Sequence, residues 1–256
     1  MTTTPSSPAD FYDRLAPFYH LLFADWDASS QRQGEQLGAL IEAQWPGCRK
    51  VLDVSCGIGT QAVALAQRGY RVSGSDLSAQ AVARARREAA RHGVNIDLSV
   101  CDMRHAHARH GTGFDVVVSC DNSLPHLLTD ADLRLALTEM RACLAVGGGC
   151  VVTVRDYERE ARGSNLVKPY GVRTENGRRY LLFQVWDFEG DHYAVTFFCV
   201  EEDLSTGEVG THVMRSRYYA VSTTRLGELM REAGFGDVRR IDAVFYQPVL
   251  VGTRLA

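Results

Sequence analysis

The chain has 256 residues, 45% hydrophobic and 23% charged, which suits one α/β domain with a sizeable insertion. A formal net charge of −3 speaks against nucleic acid as the main partner, because phosphate backbones select basic faces. No apolar run approaches the ~20 residues of a membrane span, and seven scattered cysteines without a CxxC pair offer no zinc-site spacing and point to a reducing cytoplasm.

Residues 1–10, MTTTPSSPAD, lack the basic-then-apolar layout of a signal peptide and are expected to form a disordered lead-in. A helical pattern with early aromatics predicts an N-terminal helical cap over 11–46, closed by Trp45-Pro46-Gly47. Strands and helices then alternate: strand 51–54, helix 61–68, strand 71–74, helix 79–92 and strand 96–100. A polar crossover over 105–113 leads to strand 114–120, helix 130–144, a glycine turn at 147–149 and strand 150–155. Alternation at this spacing implies right-handed crossovers and a parallel sheet.

Beyond Arg155 the period falls to two. Segments 179–188, 193–202 and 212–220 predict an antiparallel three-stranded insertion within 158–220, whose open edges are a candidate homodimer surface. A helix over 223–233 and strands over 238–243 and 249–253 close the chain. The expected fold is a doubly wound, mostly parallel seven-stranded sheet with helices on both faces, in a single domain over 11–256 whose core is 47–157.

The most informative segment is VLDVSCGIGT, residues 51–60. An apolar strand ends in Asp53, and Gly57 and Gly59 frame the turn into a helix. Such a turn exposes backbone at a positive helix end. Asp76 ends the next strand, where a carboxylate suits the two hydroxyls of a ribose. An adenosine-containing cofactor is therefore expected.

Two cofactor classes fit so far, since Gly57-Ile58-Gly59-Thr60-Gln61-Ala62 also satisfies a looser dinucleotide pattern. Asp53 separates them: its charge would repel a pyrophosphate but pair with the amino group of S-adenosylmethionine. Asp102 and Met103, at the end of the third strand, can meet an adenine amine and ring face. Two strands after the last helix also fit a sheet with one reversed strand, which dinucleotide folds usually lack.

VLDVSCGIGT, Asp76, Cys101-Asp102-Met103 and FDVVVSCDNSLPHL resemble the ordered motifs of class I, Rossmann-like S-adenosylmethionine methyltransferases. Asn122-Ser123-Leu124-Pro125-His126-Leu127 and Val154-Arg155-Asp156-Tyr157 further resemble segments of the glycine and glycine/sarcosine N-methyltransferases. The resemblance implies that Asp53, Gly57 and Gly59 hold the methionyl end, Asp76 the ribose, and Leu77, Asp102 and Met103 the adenine. It places Arg32 at the cofactor carboxylate and adds Tyr19, Trp26 and Cys120 as cofactor contacts. Asn122 and Arg155 would bind substrate with Tyr12 and Tyr218, the arginine gripping a carboxylate through its planar fork. Pro125 before the histidine and Asp156 after the arginine depart from the subgroup.

Methyl transfer from a sulfonium has a neutral leaving group, so an amine acceptor needs aim more than acid–base help. An oxygen acceptor would need a base, for which His126 is the candidate. The expectation is N-methylation of a small molecule, with His126, Asn122 and Arg155 at the catalytic centre and His126 as an orienting group. Small-molecule O-methylation and a non-catalytic cofactor-binding module are the alternatives. No metal is expected: His105, His107 and His110 stand at offsets without an acid or cysteine ladder and suit a polar loop.

Overall fold

The computed structural model describes residues 7–256. Residues 1–6 of the expected lead-in lie outside these, but its last three residues, 8–10, are helical. Helix α1 runs Pro8–Leu15. Ser7 caps it, Oγ accepting from the Asp10 N–H at 3.2 Å, and Pro8 fills a position whose own N–H would be unpaired. A 3-10 turn, Tyr19–Leu22, leads to α2, Trp26–Gln44.

The core follows as β1 Lys50–Asp53, α3 Thr60–Gln67, β2 Arg71–Asp76, α4 Ala79–Arg91 and β3 Asp97–Val100. The polar crossover holds a short helix, α5 Ala106–His110. Next come β4 Phe114–Ser119, α6 Asp130–Cys143 and β5 Leu144–Thr153. Strands β6 Leu166–Glu175, β7 Arg178–Glu189, β8 His192–Asp203 and β9 Val209–Tyr219 precede α7 Thr223–Glu232, β10 Gly236–Ile241 and β11 Val249–Thr253.

Seven strands form the main sheet in the order β10-β11-β5-β4-β1-β2-β3, with β11 antiparallel to both neighbours. Strand order reverses between β1 and β4, so a crevice opens at their C-terminal ends. Apolar side chains fill both faces: Leu52, Val117 and Val152 point to one cluster, Val51, Val116 and Val151 to the other.

Two expectations are corrected. The glycines at 147–149 lie within β5 and are no separate turn, and Gly149 packs under Trp45, whose indole would collide with any Cβ there. The insertion has four antiparallel strands, β6-β7-β8-β9, where three were expected. Strand β6 alternates only between half-buried and exposed positions, and its register shifts between Pro169 and Gly171, so its two-residue period is faint. The inner face of this second sheet, through Tyr180, Leu182, Phe197 and Met214, packs on Phe11, Leu15 and Leu21 of the cap. Cap and insertion together roof the crevice.

Candidate active site

On one side of the crevice, β1 delivers Asp53 fully buried. One carboxylate oxygen accepts from the Ser55 N–H at 3.1 Å, while Oδ2 has no hydrogen-bond partner among the described residues. Burial, aided by the neighbouring Asp76, pushes this carboxyl up to about 7. The chain then turns through Gly57 and Gly59 with φ of 52° and 97°, a left-handed path that glycine takes without strain. The Gly57 N–H donates to Asp76 Oδ2 at 2.9 Å, and the Ser78 N–H to Oδ1 at 2.9 Å. Helix α1 is clasped over this region by Asp13, whose carboxylate accepts from the Ser78 hydroxyl at 2.6 Å and the Gln80 N–H at 3.0 Å.

These groups border a cavity of about 380 Å³, lined among others by Gly57, Asp76, Leu77, Asp102, Met103 and His126. Asp53 itself does not line it, although the next two residues, Val54 and Ser55, do. Burial alone would raise the Asp102 carboxyl, but Arg104, 2.7 Å away, holds it below the ordinary carboxylate range. An unpaired buried carboxylate oxygen beside bare glycine backbone, with a second acid and an apolar slot beyond, fits an aminoacyl nucleoside that carries an amine.

A second cavity, about 520 Å³, adjoins the first through Tyr12 and Tyr19, which line both. Arg155 lies on its wall, just beyond the end of β5, its guanidinium 5.1 Å from the Trp186 ring centre. Among the described residues Arg155 makes no ion pair; the phenols of Tyr193, Tyr170, Tyr157 and Tyr218 surround it. The His126 ring packs 4.0 Å from Tyr218, and its Nε2 lies 2.8 Å from the Tyr12 hydroxyl. Burial, helped by the Arg155 charge, lowers His126 to about 3, so it is a neutral imidazole at physiological pH.

Several expected residues stand elsewhere. Arg32 lies on the exposed face of α2, bonded to Ser29 at 3.0 Å, and lines neither cavity. The buried Trp26 donates Nε1–H to Thr60 Oγ1 at 3.0 Å and ties α2 to α3. Cys120 is packed in the core, and Gly59 serves as the N-cap of α3 against Val63 and Ala85. Asn122 is buried with φ of 63°; its Oδ1 accepts from the Arg155 N–H at 3.0 Å and the Tyr157 hydroxyl at 3.0 Å. It holds the Arg155 backbone and has no face on either cavity.

Asp121 is the residue that sequence reasoning passed over. Its carboxylate lines the larger cavity and accepts from Tyr19 at 3.0 Å and Tyr246 at 2.7 Å. The signal was present: it directly precedes Asn122 at the C-terminal end of a parallel strand, where such sheets place their ligands.

Comparison with known proteins meets this geometry from two directions. Residues 51–148 match the family model described as a methyltransferase domain. The chain is 32% identical over 159 residues to a glycine/sarcosine N-methyltransferase of Parasynechococcus marenigrum, covering 62% of this chain and 53% of that one. It is 30% identical over 155 residues to a dTDP-3-amino-3,6-dideoxy-alpha-D-glucopyranose N,N-dimethyltransferase of Streptomyces fradiae, covering 59% and 57%. The matched stretch thus spans about half the length of these curated relatives. In fold, the sugar N-methyltransferase KedS8 of a Streptoalloteichus species superposes with a TM-score of 0.80 at 20% identity, over 100% of this chain and 97% of that one. CalS10, an S-adenosylmethionine-bound amino pentose methyltransferase, gives 0.78 at 22% identity over 93% and 95%.

Residues 51–148 thus match a methyltransferase domain, and the chain as a whole has the fold of these solved methyltransferases. CalS10 holds S-adenosylmethionine, an aminoacyl nucleoside of the kind that the donor set around the smaller cavity fits. Among the described residues no helix is long and apolar enough to cross a membrane.

Proposed function

We propose that the chain transfers a methyl group to the nitrogen of a small amine that also carries an anionic group, as glycine and sarcosine do. The observation that carries this reading is Arg155: a guanidinium without an ion pair among the described residues, held against Trp186 in an aromatic cavity that joins the cofactor cavity. A carboxylate entering there gains a planar, two-pronged partner.

Asp53 would take the cofactor's amino group, Gly57 would admit its methionyl end to bare backbone, and Asp76 would hold the ribose hydroxyls. Leu77 and Met103 would flank the adenine, with Asp102 beside its amine. When bound, the cofactor supplies a carbon bonded to a sulfonium: the amine lone pair forms the N–C bond, the C–S pair returns to sulfur, and the nitrogen then sheds a proton. Tyr12 and Tyr19, at the junction of the two cavities, would exclude water and present ring and hydroxyl to the cation. His126, with its nitrogen lowered to about 3, is a weak base and serves to orient Tyr12, which favours an amine acceptor over a phenol.

The size of the cavity favours a second reading of the acceptor. About 520 Å³ falls within the roughly 300–1,000 Å³ of pockets that hold drug-sized ligands, far more than glycine needs. An amino sugar would use that space, in line with the fold likeness to sugar N-methyltransferases. The test is a labelled-methyl transfer screen over amino acids, amino sugars and phenols. Label on an amine supports the reading; label confined to phenols overturns it.

A further inference from the structure

Among the residues of the larger cavity, Asp121 has a placement that the methyl-transfer reading leaves unused. It follows β4 in a left-handed conformation, φ 56°, and Asn122 continues at 63°. Two successive residues in this region form a tight hook directly after the strand. The Asp121 N–H donates to Thr153 Oγ1 at 2.9 Å, and that hydroxyl donates to Gln247 at 2.9 Å, so β5 and the approach to β11 hold the hook in place.

The carboxylate faces two walls of the cavity. Tyr19 of the cap donates to Oδ2 and Tyr246 of the β10–β11 connection donates to Oδ1. A carboxylate offers about four acceptor sites, so two remain. The side chain is half-buried, open on the cavity side, and shares that cavity with Arg155. An anion and a cation on one aromatic-walled cavity make a site complementary to a molecule bearing both charges.

Resting on the proposed N-methylation, we propose that Asp121 is the residue that receives the acceptor nitrogen: it hydrogen-bonds the N–H groups of the amine, aims the lone pair, and stabilises the positive charge that nitrogen acquires. As the N–C bond forms and the C–S pair goes to sulfur, the cation moves from sulfur to nitrogen. A fixed carboxylate at nitrogen is then worth more in the transition state than in the ground state. The same carboxylate accepts the proton that nitrogen sheds, becoming the neutral acid, and passes it on to solvent. Burial raises this carboxyl, which makes it the better proton acceptor. Toward a phenolate the same charge is repulsive. Asp121 therefore selects amines over oxygen acceptors.

The test pairs two variants with two readouts, using the full chain. Acceptor binding without cofactor is followed by calorimetry, and methyl transfer by label, over glycine, sarcosine, 3-amino-3-deoxyglucose and catechol. For whichever amine the wild type accepts, Asp121→Asn should weaken binding and lower kcat/KM by 30-fold or more. S-adenosylhomocysteine affinity should stay within threefold, and any transfer to catechol should rise. Tyr246→Phe, which removes the hydrogen bond to Oδ1 but keeps the charge, should cost less than fivefold. If Tyr246→Phe matches Asp121→Asn, Asp121 is only a clasp and the inference is overturned. Equal amine turnover by wild type and Asp121→Asn overturns it as well. A wild type that methylates catechol and no amine would overturn the N-methyl reading itself.

Discussion

The Tyr12 hydroxyl and His126 Nε2 lie 2.8 Å apart although 114 residues separate them in the chain. The pair joins the cap helix to the loop after β4 at the point where the two cavities meet, with Ser216 Oγ of the insertion 3.3 Å from the other ring nitrogen. Because burial lowers His126 to about 3, the imidazole stays neutral across the working range, and its role is to hold Tyr12 in place.

His126→Gln is therefore expected to lower kcat by about tenfold or less, well short of the ~10²-fold or more that marks loss of a general base. The profile of kcat/KM between pH 6 and pH 9 should keep its shape, since no proton leaves or joins His126 there. Tyr12→Phe should cost a similar amount, roughly one neutral hydrogen bond of about 1 kcal/mol. A hundredfold loss in His126→Gln, together with loss of an ionisation from the pH profile, would assign the base role instead.

Arg155→Lys keeps the charge but loses the fork and the stacking on Trp186. For an acceptor bearing a carboxylate or phosphate, KM should rise about tenfold, equivalent to ~1.4 kcal/mol. Acceptors without an anionic group should change much less, and cofactor affinity should be unaffected. Steady-state kinetics with matched acceptors, such as glycine and ethylamine, separates the two. Equal KM changes for both would remove the carboxylate contact.

Much of this arrangement was legible in the chain, and the failures have physical causes. Asp53, the glycine turn and Asp76 could be read because each ends or follows an apolar strand, and strand ends converge wherever a parallel sheet forms. Strand β6 went unread although Asn176-Gly177, with φ of 50° and 75°, is the hairpin signal that precedes β7. Its own residues face cap and solvent alternately without a dry side, so the two-residue period is blurred. Arg32 was misplaced because a helix fixes which residues share a face but not which face meets the sheet. The Asp121 contacts to Tyr19 and Tyr246 span more than 100 residues each, and no local pattern reveals such a meeting.

Asn122 was expected to touch substrate and instead carries the loop that presents Arg155. Asn122→Ala removes a buried acceptor from the Arg155 N–H and Tyr157, and puts a residue less tolerant of positive φ at 63°. The loss should be about 2–4 kcal/mol of stability, from unpaired buried groups and backbone strain. In the folded fraction, acceptor KM should rise through Arg155 while cofactor affinity holds. Urea unfolding and calorimetry measure the two effects. Full stability with raised KM would mean that Asn122 meets the acceptor directly.

Asp53 ties stability to function through pH. Its carboxyl titrates at about 7 in the folded chain, against 3.8 for an ordinary aspartate. Between those values the folded state holds a proton that the unfolded state has lost, so stability contributed by this group falls as pH rises from about 4 to about 7, and stays low above. An amino group placed against Oδ2 favours the carboxylate, so binding the cofactor should release a proton below pH 7. Affinity for S-adenosylhomocysteine, which keeps that amino group, should rise as pH climbs from 5.5 to about 7 and then level off. Calorimetry in buffers of different ionisation heat should count the released proton. Asp53→Asn should raise the Tm of the cofactor-free protein at pH 8, abolish the proton release and weaken cofactor binding at least tenfold. An affinity flat from pH 5.5 to pH 8 in the wild type would show that the unpaired oxygen of Asp53 does not receive the cofactor's amine.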